Sequence, residues 1–144
     1  MTRSTAPEQR HLALSERFFD EYLMGGIDIL DDLVAPDFRG HGFGGHDGEL
    51  VGADGLRSYF GAALGTSRYD VHERFAAGDT VVTRWTVYTA NDMVRGGPSP
   101  TGGETEMSGI TVERFADGKL AEMWVQADYL HLYRQLGLVS EPVE

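Results

Sequence analysis

Apolar residues follow a helical spacing up to Gly65 and an alternating one after it. A chain with its helices first and its strands later segregates them into layers, helices packed on one face of an antiparallel sheet. The helical half begins at Thr5 and Pro7, where Glu8 completes a capping-box pattern. Leu12, Phe18, Phe19, Tyr22 and Leu23 then share one stripe, stopped by Gly25-Gly26. The segment Asp28 to Val34 predicts a short second helix with Ile29, Leu30 and Leu33 inward, ended by Pro36. Glycine-rich Phe38 to Gly52 reads as a strand fragment and a loop. Ala53 to Leu64 predicts a third helix burying Leu56, Tyr59, Phe60, Ala63 and Leu64.

Beyond Gly65, four strands are expected. Tyr69 to Ala77 and Thr80 to Ala90 flank the turn Gly78-Asp79, and Thr105 to Ala116 and Lys119 to Ala127 flank Asp117-Gly118. Asn91 to Glu104, with four glycines and two prolines, is a long loop of the kind that often covers a site. Asp128 starts a closing helix, Tyr129 to Leu136, ended by Gly137. The fold class is therefore α+β: a curled antiparallel sheet with helices over its concave face, which leaves room for a cavity.

A chain of 144 residues is one domain. Residues 1–144 are read as that single domain, with 1–5 and 138–144 as loose termini. No apolar run approaches the roughly 18 residues that cross a bilayer. The first ten residues lack the apolar stretch of a signal peptide, and there is no cysteine for a disulfide or thiolate site, so a cytoplasmic location is the default. A net charge of -11 repels phosphate backbones and anionic lipid, which argues against nucleic-acid and membrane partners. Lys119, the sole lysine, sits in a turn and is a poor Schiff-base candidate. Phosphate-binding glycine loops, nucleophile elbows and zinc-protease helices are all absent from the sequence.

Three stretches carry a resemblance: Pro100-Thr101-Gly102; Arg114-Phe115-Ala116-Asp117-Gly118-Lys119-Leu120 followed by Glu122 and Trp124; and Arg134-Gln135-Leu136-Gly137. Together, in this order, they resemble the SnoaL-like polyketide cyclases of the nuclear-transport-factor-like, cone-shaped α+β barrel superfamily. The resemblance implies a small hydrophobic metabolite as substrate, no cofactor, no metal, and a homodimer or tetramer. Aldol cyclases of that family use a carboxylate on the last strand and a histidine on the strand before it. Counted from the shared turn, those places fall on Val125 and Thr111, and the family's Gly-Thr-His is replaced by Thr89-Ala90-Asn91. All three departures remove titratable groups. The resemblance thus implies a cyclase without its usual proton-transfer groups, closing a ring of a polyketide-type intermediate in antibiotic-type secondary metabolism by templating, as in a cycloaddition. A non-catalytic carrier and an epoxide-opening enzyme are the alternatives.

Candidate catalytic residues are Asp128, His41 and Asn91. Asp128 is the carboxylate nearest the expected site, although the helix-cap reading outweighs the acid/base one. His41 and His46, with Asp47, could form an oriented base, or simply belong to a wet loop; their spacing on such a loop is rejected as a metal site. Asn91, Gln126 and Tyr88 are neutral groups able to polarise a carbonyl. The expected substrate pocket comprises Phe19, Tyr22, Phe60, Leu64, Trp85, Tyr88, Met107, Thr111, Met123 and Val125. Trp124 reads as core or dimer interface. Alternation puts Val81, Thr83, Trp85 and Val87 on one face of their strand and Val82, Arg84, Thr86 and Tyr88 on the other, without saying which is concave. The epoxide reading requires Glu113 beside Arg84 in the cavity.

Overall fold

The computed structural model describes residues 4–45, 48–92, 97–100 and 102–140. Helix α1 (Ala6–Arg17) opens on a complete capping box: the Glu8 amide donates to Thr5 Oγ1 at 3.2 Å and the Thr5 amide to Glu8 Oε1 at 2.7 Å. It runs into a π-helical turn, Phe18–Tyr22, in which the Leu23 amide reaches back to the Phe18 carbonyl. Phe18, Phe19, Tyr22 and Leu23 come together in the core there, as their shared stripe predicts.

The sequence after Gly26 departs from expectation. A 3-10 turn (Ile27–Ile29) leads into the short α2 (Leu30–Leu33), which stops before Val34. Strand β1 (Val34–His41) follows and contains Pro36. Between the pairs Val34↔Leu120 and Arg39↔Glu122, five steps of β1 oppose two of its neighbour. Proline, having no N–H to give a ladder, is tolerated at such a bulge. A 3-10 turn (Phe43–Gly45) and β2 (Glu49–Val51) complete the stretch read as mostly loop; His46 and Asp47 lie outside the described residues.

Helix α3 (Gly52–Phe60) and a 3-10 turn (Gly61–Ala63) bury Leu56 fully and Tyr59, Phe60 and Leu64 in part, while Ala63 is exposed rather than buried. Then come β3 (Ser67–Ala77), β4 (Thr80–Thr89), β5 (Thr105–Ala116), β6 (Lys119–Ala127) and α4 (Tyr129–Gln135). The sheet order is β2-β1-β6-β5-β4-β3. All neighbours are antiparallel except β1 and β6, so the sheet is mixed and six-stranded rather than purely antiparallel. Its edges β2 and β3 do not pair, and the barrel stays open. Register shifts in β1, β3 and β6 bend the sheet. Helix α1 packs on β3 and β4, α3 on β1 and β2, and α4 on β5, so the core lies between helices and the concave face.

Candidate functional site

Alternation fixes the concave wall. Inward and buried are Val81, Thr83, Trp85, Val87 and Thr89 on β4, Thr105, Met107, Thr111, Glu113 and Phe115 on β5, and Met123 and Val125 on β6. Glycine at position 109 is required: a Cβ there would stand 2.5 Å from the Trp85 ring. The indole so placed donates from Nε1 to Thr111 Oγ1 at 2.6 Å.

The hollow above this wall has two adjoining lobes. The outer lobe, about 410 Å³, is bounded by the end of α3, the start of β3 and the end of β4, with Leu64, Ser67, Thr89, Asn91, Asp92 and Gly97 in its wall. The inner lobe holds only about 40 Å³ between Phe18, Phe19, Phe43, Trp85, Met107, Thr111, Met123, Val125 and Tyr129. Leu23, Tyr59, Phe60 and Tyr69 line both. Small-molecule sites usually measure about 300–1,000 Å³, so the outer lobe is ligand-sized and the inner one admits a single substituent.

Of the residues expected in the pocket, Phe19, Trp85, Met107, Thr111, Met123 and Val125 line the inner lobe, Leu64 the outer, and Phe60 both. Two are elsewhere. Tyr88 alternates to the opposite face, where the Arg68 guanidinium lies 4.1 Å from its ring centre. Tyr22 is fully buried behind the lobes, and burial pushes its phenol up to about 12.

The candidate catalytic residues are not brought together. Asn91 lines the outer lobe, with its amide held by Thr66 Oγ1. Asp128 is exposed and accepts the His131 amide at 3.0 Å, capping α4 on the side away from the lobes. His41 lines neither lobe: its Nε2 lies 2.7 Å from Glu122 and its ring stacks on the exposed Trp124. That contact, assisted by Arg114, holds the Glu122 carboxyl below the ordinary value. Gln126 also faces outward. The pair needed for epoxide opening does not form. Glu113 points inward, but Arg84, next to Trp85 on β4, points outward and binds Glu73 at 2.8 Å.

Sequence reasoning missed several polar groups in the site, and three of them shape it most. Asp92, 4% exposed, brings a carboxylate into the outer wall. Its backbone explains why: Asp92 N–H donates to the Gly97 carbonyl and Ser99 N–H to that of Ala90, extending the β4 end as a short ladder instead of a free loop. The remainder of the lid expected over Asn91–Glu104 includes 93–96 and 101, outside the described residues. Tyr59 and Tyr129 are the other two, meeting from α3 and α4. Gly44 N–H donates to the Tyr129 hydroxyl at 2.9 Å, and Tyr59 stands in the same wall of the inner lobe. Burial raises Tyr59, Tyr69 and Tyr129 above the ordinary phenol value, so all three keep their protons at neutral pH. Among the described residues, the inner lobe is thus polar only through neutral donors: phenols, the Thr111 hydroxyl and the committed indole.

Glu113 lies two positions along β5 from Thr111 but lines neither lobe. Its Oε1 accepts from Ser15 and, at 3.2 Å, from Thr83, with Arg74 bonded to Ser15 at 2.9 Å. Burial pushes its carboxyl up to about 7, against the opposing pull of those hydroxyls and Arg74. Among the described residues, no group of three or more His, Asp and Glu side chains is placed to hold a metal ion. No helix among them is long and apolar enough to cross a membrane.

The sequence profile of the SnoaL-like domain matches residues 15–123. Among solved structures, a candidate SnoaL-like polyketide cyclase from Jannaschia sp. CCS1 superposes with a TM-score of 0.80 at 22% identity, over 97% of this chain and 100% of that one. IdmH, a candidate polyketide cyclase from Streptomyces antibioticus, gives 0.71 at 24% identity over 88% and 98% of the two chains. AclR from Streptomyces galilaeus, a candidate hydroxylase, gives 0.75 at 21% identity over 95% and 87%. At these identities the likeness establishes the fold alone. No curated protein of assigned function matches the chain.

Proposed function

The chain belongs to the SnoaL-like domain family, and from that premise we propose that it is a cofactor-independent cyclase closing a ring in a hydrophobic, polyketide-type intermediate of secondary metabolism. The observation that carries this reading is the shape and polarity of the hollow. A ligand-sized outer lobe narrows into an aromatic inner lobe whose polar groups are neutral donors. Such walls fold a flexible guest and fix its reacting ends, which is worth about 7–11 kcal/mol of barrier when alignment is good. Val125 and Thr111, standing where the aldol cyclases resembled above have a carboxylate and a histidine, favour ring closure by templating over closure by strong acid/base catalysis. Solved neighbours described as candidate polyketide cyclases support the substrate class.

The same missing groups favour a second reading, a carrier that binds such a metabolite without converting it. Incubating the protein with linear polyketide-type intermediates, and following ring formation against buffer alone, separates the two. Acceleration supports the cyclase; tight binding at the buffer rate supports the carrier. Phe75, Ile110 and Trp124, exposed on the convex sheet face, support placing the expected homodimer contact there.

A further inference from the structure

Tyr59 and Tyr129 bring two phenol hydroxyls to the inner lobe, and at most one of their two protons can go to the other's oxygen. The Tyr129 oxygen already accepts the Gly44 amide. If Tyr59 donates to Tyr129, the Tyr129 proton is left; if Tyr129 donates, the Tyr59 proton is left. Among the described residues that remaining proton has no acceptor. Both rings are fixed. Phe43 and Phe60 meet the Tyr59 ring edge-on at 5.2 and 5.1 Å, and the capping of α4 by Asp128 anchors the backbone at Tyr129. Gly44 aims its amide from a left-handed conformation, φ 76°, that favours glycine. Both phenols line the inner lobe, and Tyr59 also lines the outer one.

We propose that the Tyr59–Tyr129 pair, at the junction of the lobes, is a binding site for a carbonyl, enol or phenol oxygen of the guest, which accepts the uncommitted O–H. This deepens the reading of the hollow as a substrate site and rests on it. The inner lobe, about 40 Å³, has room for an oxygen substituent and none for a ring. In a dry apolar wall an oxygen bearing negative charge gains more from such a donor than a neutral one does. The pair therefore selects guests with an oxygen at one end and stabilises charge that builds on it. Tyr129 contacts that oxygen; Tyr59 acts as a positioning residue when Tyr129 is the donor.

The test uses 2-naphthol, a rigid fluorescent phenol, and reads the pH at which the bound probe ionises. In the wild-type protein that pH is expected to lie about one to two units below its value in Tyr129→Phe, the size of a hydrogen bond to a charged oxygen. Tyr59→Phe shifts it in the same direction by less. Incorporating 3-fluorotyrosine at position 129 keeps the hydroxyl and makes it more acidic, so it lowers the ionisation pH further and covers the case of a Phe variant that does not fold. Equal ionisation pH in the wild-type, Tyr129→Phe and fluorotyrosine proteins, or no binding of the probe by the wild type, overturns the proposal. The readout needs no turnover. A wild-type protein that shifts the probe but closes no ring keeps the oxygen site and loses the cyclase reading; ring closure with an unshifted probe does the reverse.

Discussion

Thr111 and Glu113 are successive inward positions on β5, both buried, and they show what separates a site from a core. Glu113 carries the strongly displaced carboxylate, up to about 7, which is a common mark of catalysis. Yet its bonded neighbours are Ser15 and Thr83, and neither lobe reaches it. Thr111 has an ordinary hydroxyl, fixed by Trp85, that faces empty volume together with three phenols. A perturbed titration reports burial. Chemistry on a guest also needs space beside the group, and only the Thr111 level has it.

The contrast is open to breakage, most forcefully at Trp85. The ring fills the floor of the inner lobe, so Trp85→Ala should cost about 3–5 kcal/mol in denaturant unfolding. A loss under about 1 kcal/mol would mean that the wall was never tightly packed. Glu113→Gln comes next, and its effect depends on pH. Between about 4.5 and about 7 the folded protein holds a proton that the unfolded chain releases, so wild-type stability falls as pH rises through that window, by about 3 kcal/mol in all. The Gln variant lacks this decline. Thermal melts should show it more stable than wild type at pH 8 and nearly equal near pH 4.5; parallel curves would mean that Glu113 is already ionised in the fold. Gly109→Ala drives a methyl into the Trp85 ring and should cost about 1–3 kcal/mol, with weaker binding of aromatic guests. Asp128→Asn should be smallest. Asn caps a helix about as well as Asp, so melting stays within a few tenths of a kcal/mol and turnover is largely kept. A loss of turnover beyond about 100-fold would restore Asp128 as an acid/base group.

Local signals in the chain were legible wherever the structure answers to local rules. The Thr5–Glu8 box, the turn at Asp117-Gly118 with φ of 53° and 77°, and the Asp128 cap all involve residues a few positions apart. The first half of β1, Val34 to Asp37, was not legible, because its partner β6 is distant and parallel and because Pro36 argues against a strand unless a bulge receives it. The inner-lobe wall follows from strand alternation with Thr111 and Val125 inward. The phenol pair did not. It exists only where α3, α4 and the Gly44 turn converge, and nothing in the spacing of Tyr59 and Tyr129 encodes their meeting. Tyr88 was misplaced because the strand shows two faces and does not say which one bends inward.

The taper of the hollow sets a rule for any molecule that uses it. Space shrinks about tenfold from mouth to floor, so a guest enters by its slimmest end and turns the bulk outward. One extra methyl at that leading tip meets aromatic walls at once, and a difference of that size in an apolar pocket is worth about 10–200-fold in selection. The same methyl at the trailing end stays in the roomy vestibule and goes almost unnoticed. Under the proposed function, such a hollow would tell head from tail more sharply than one compound from its neighbour.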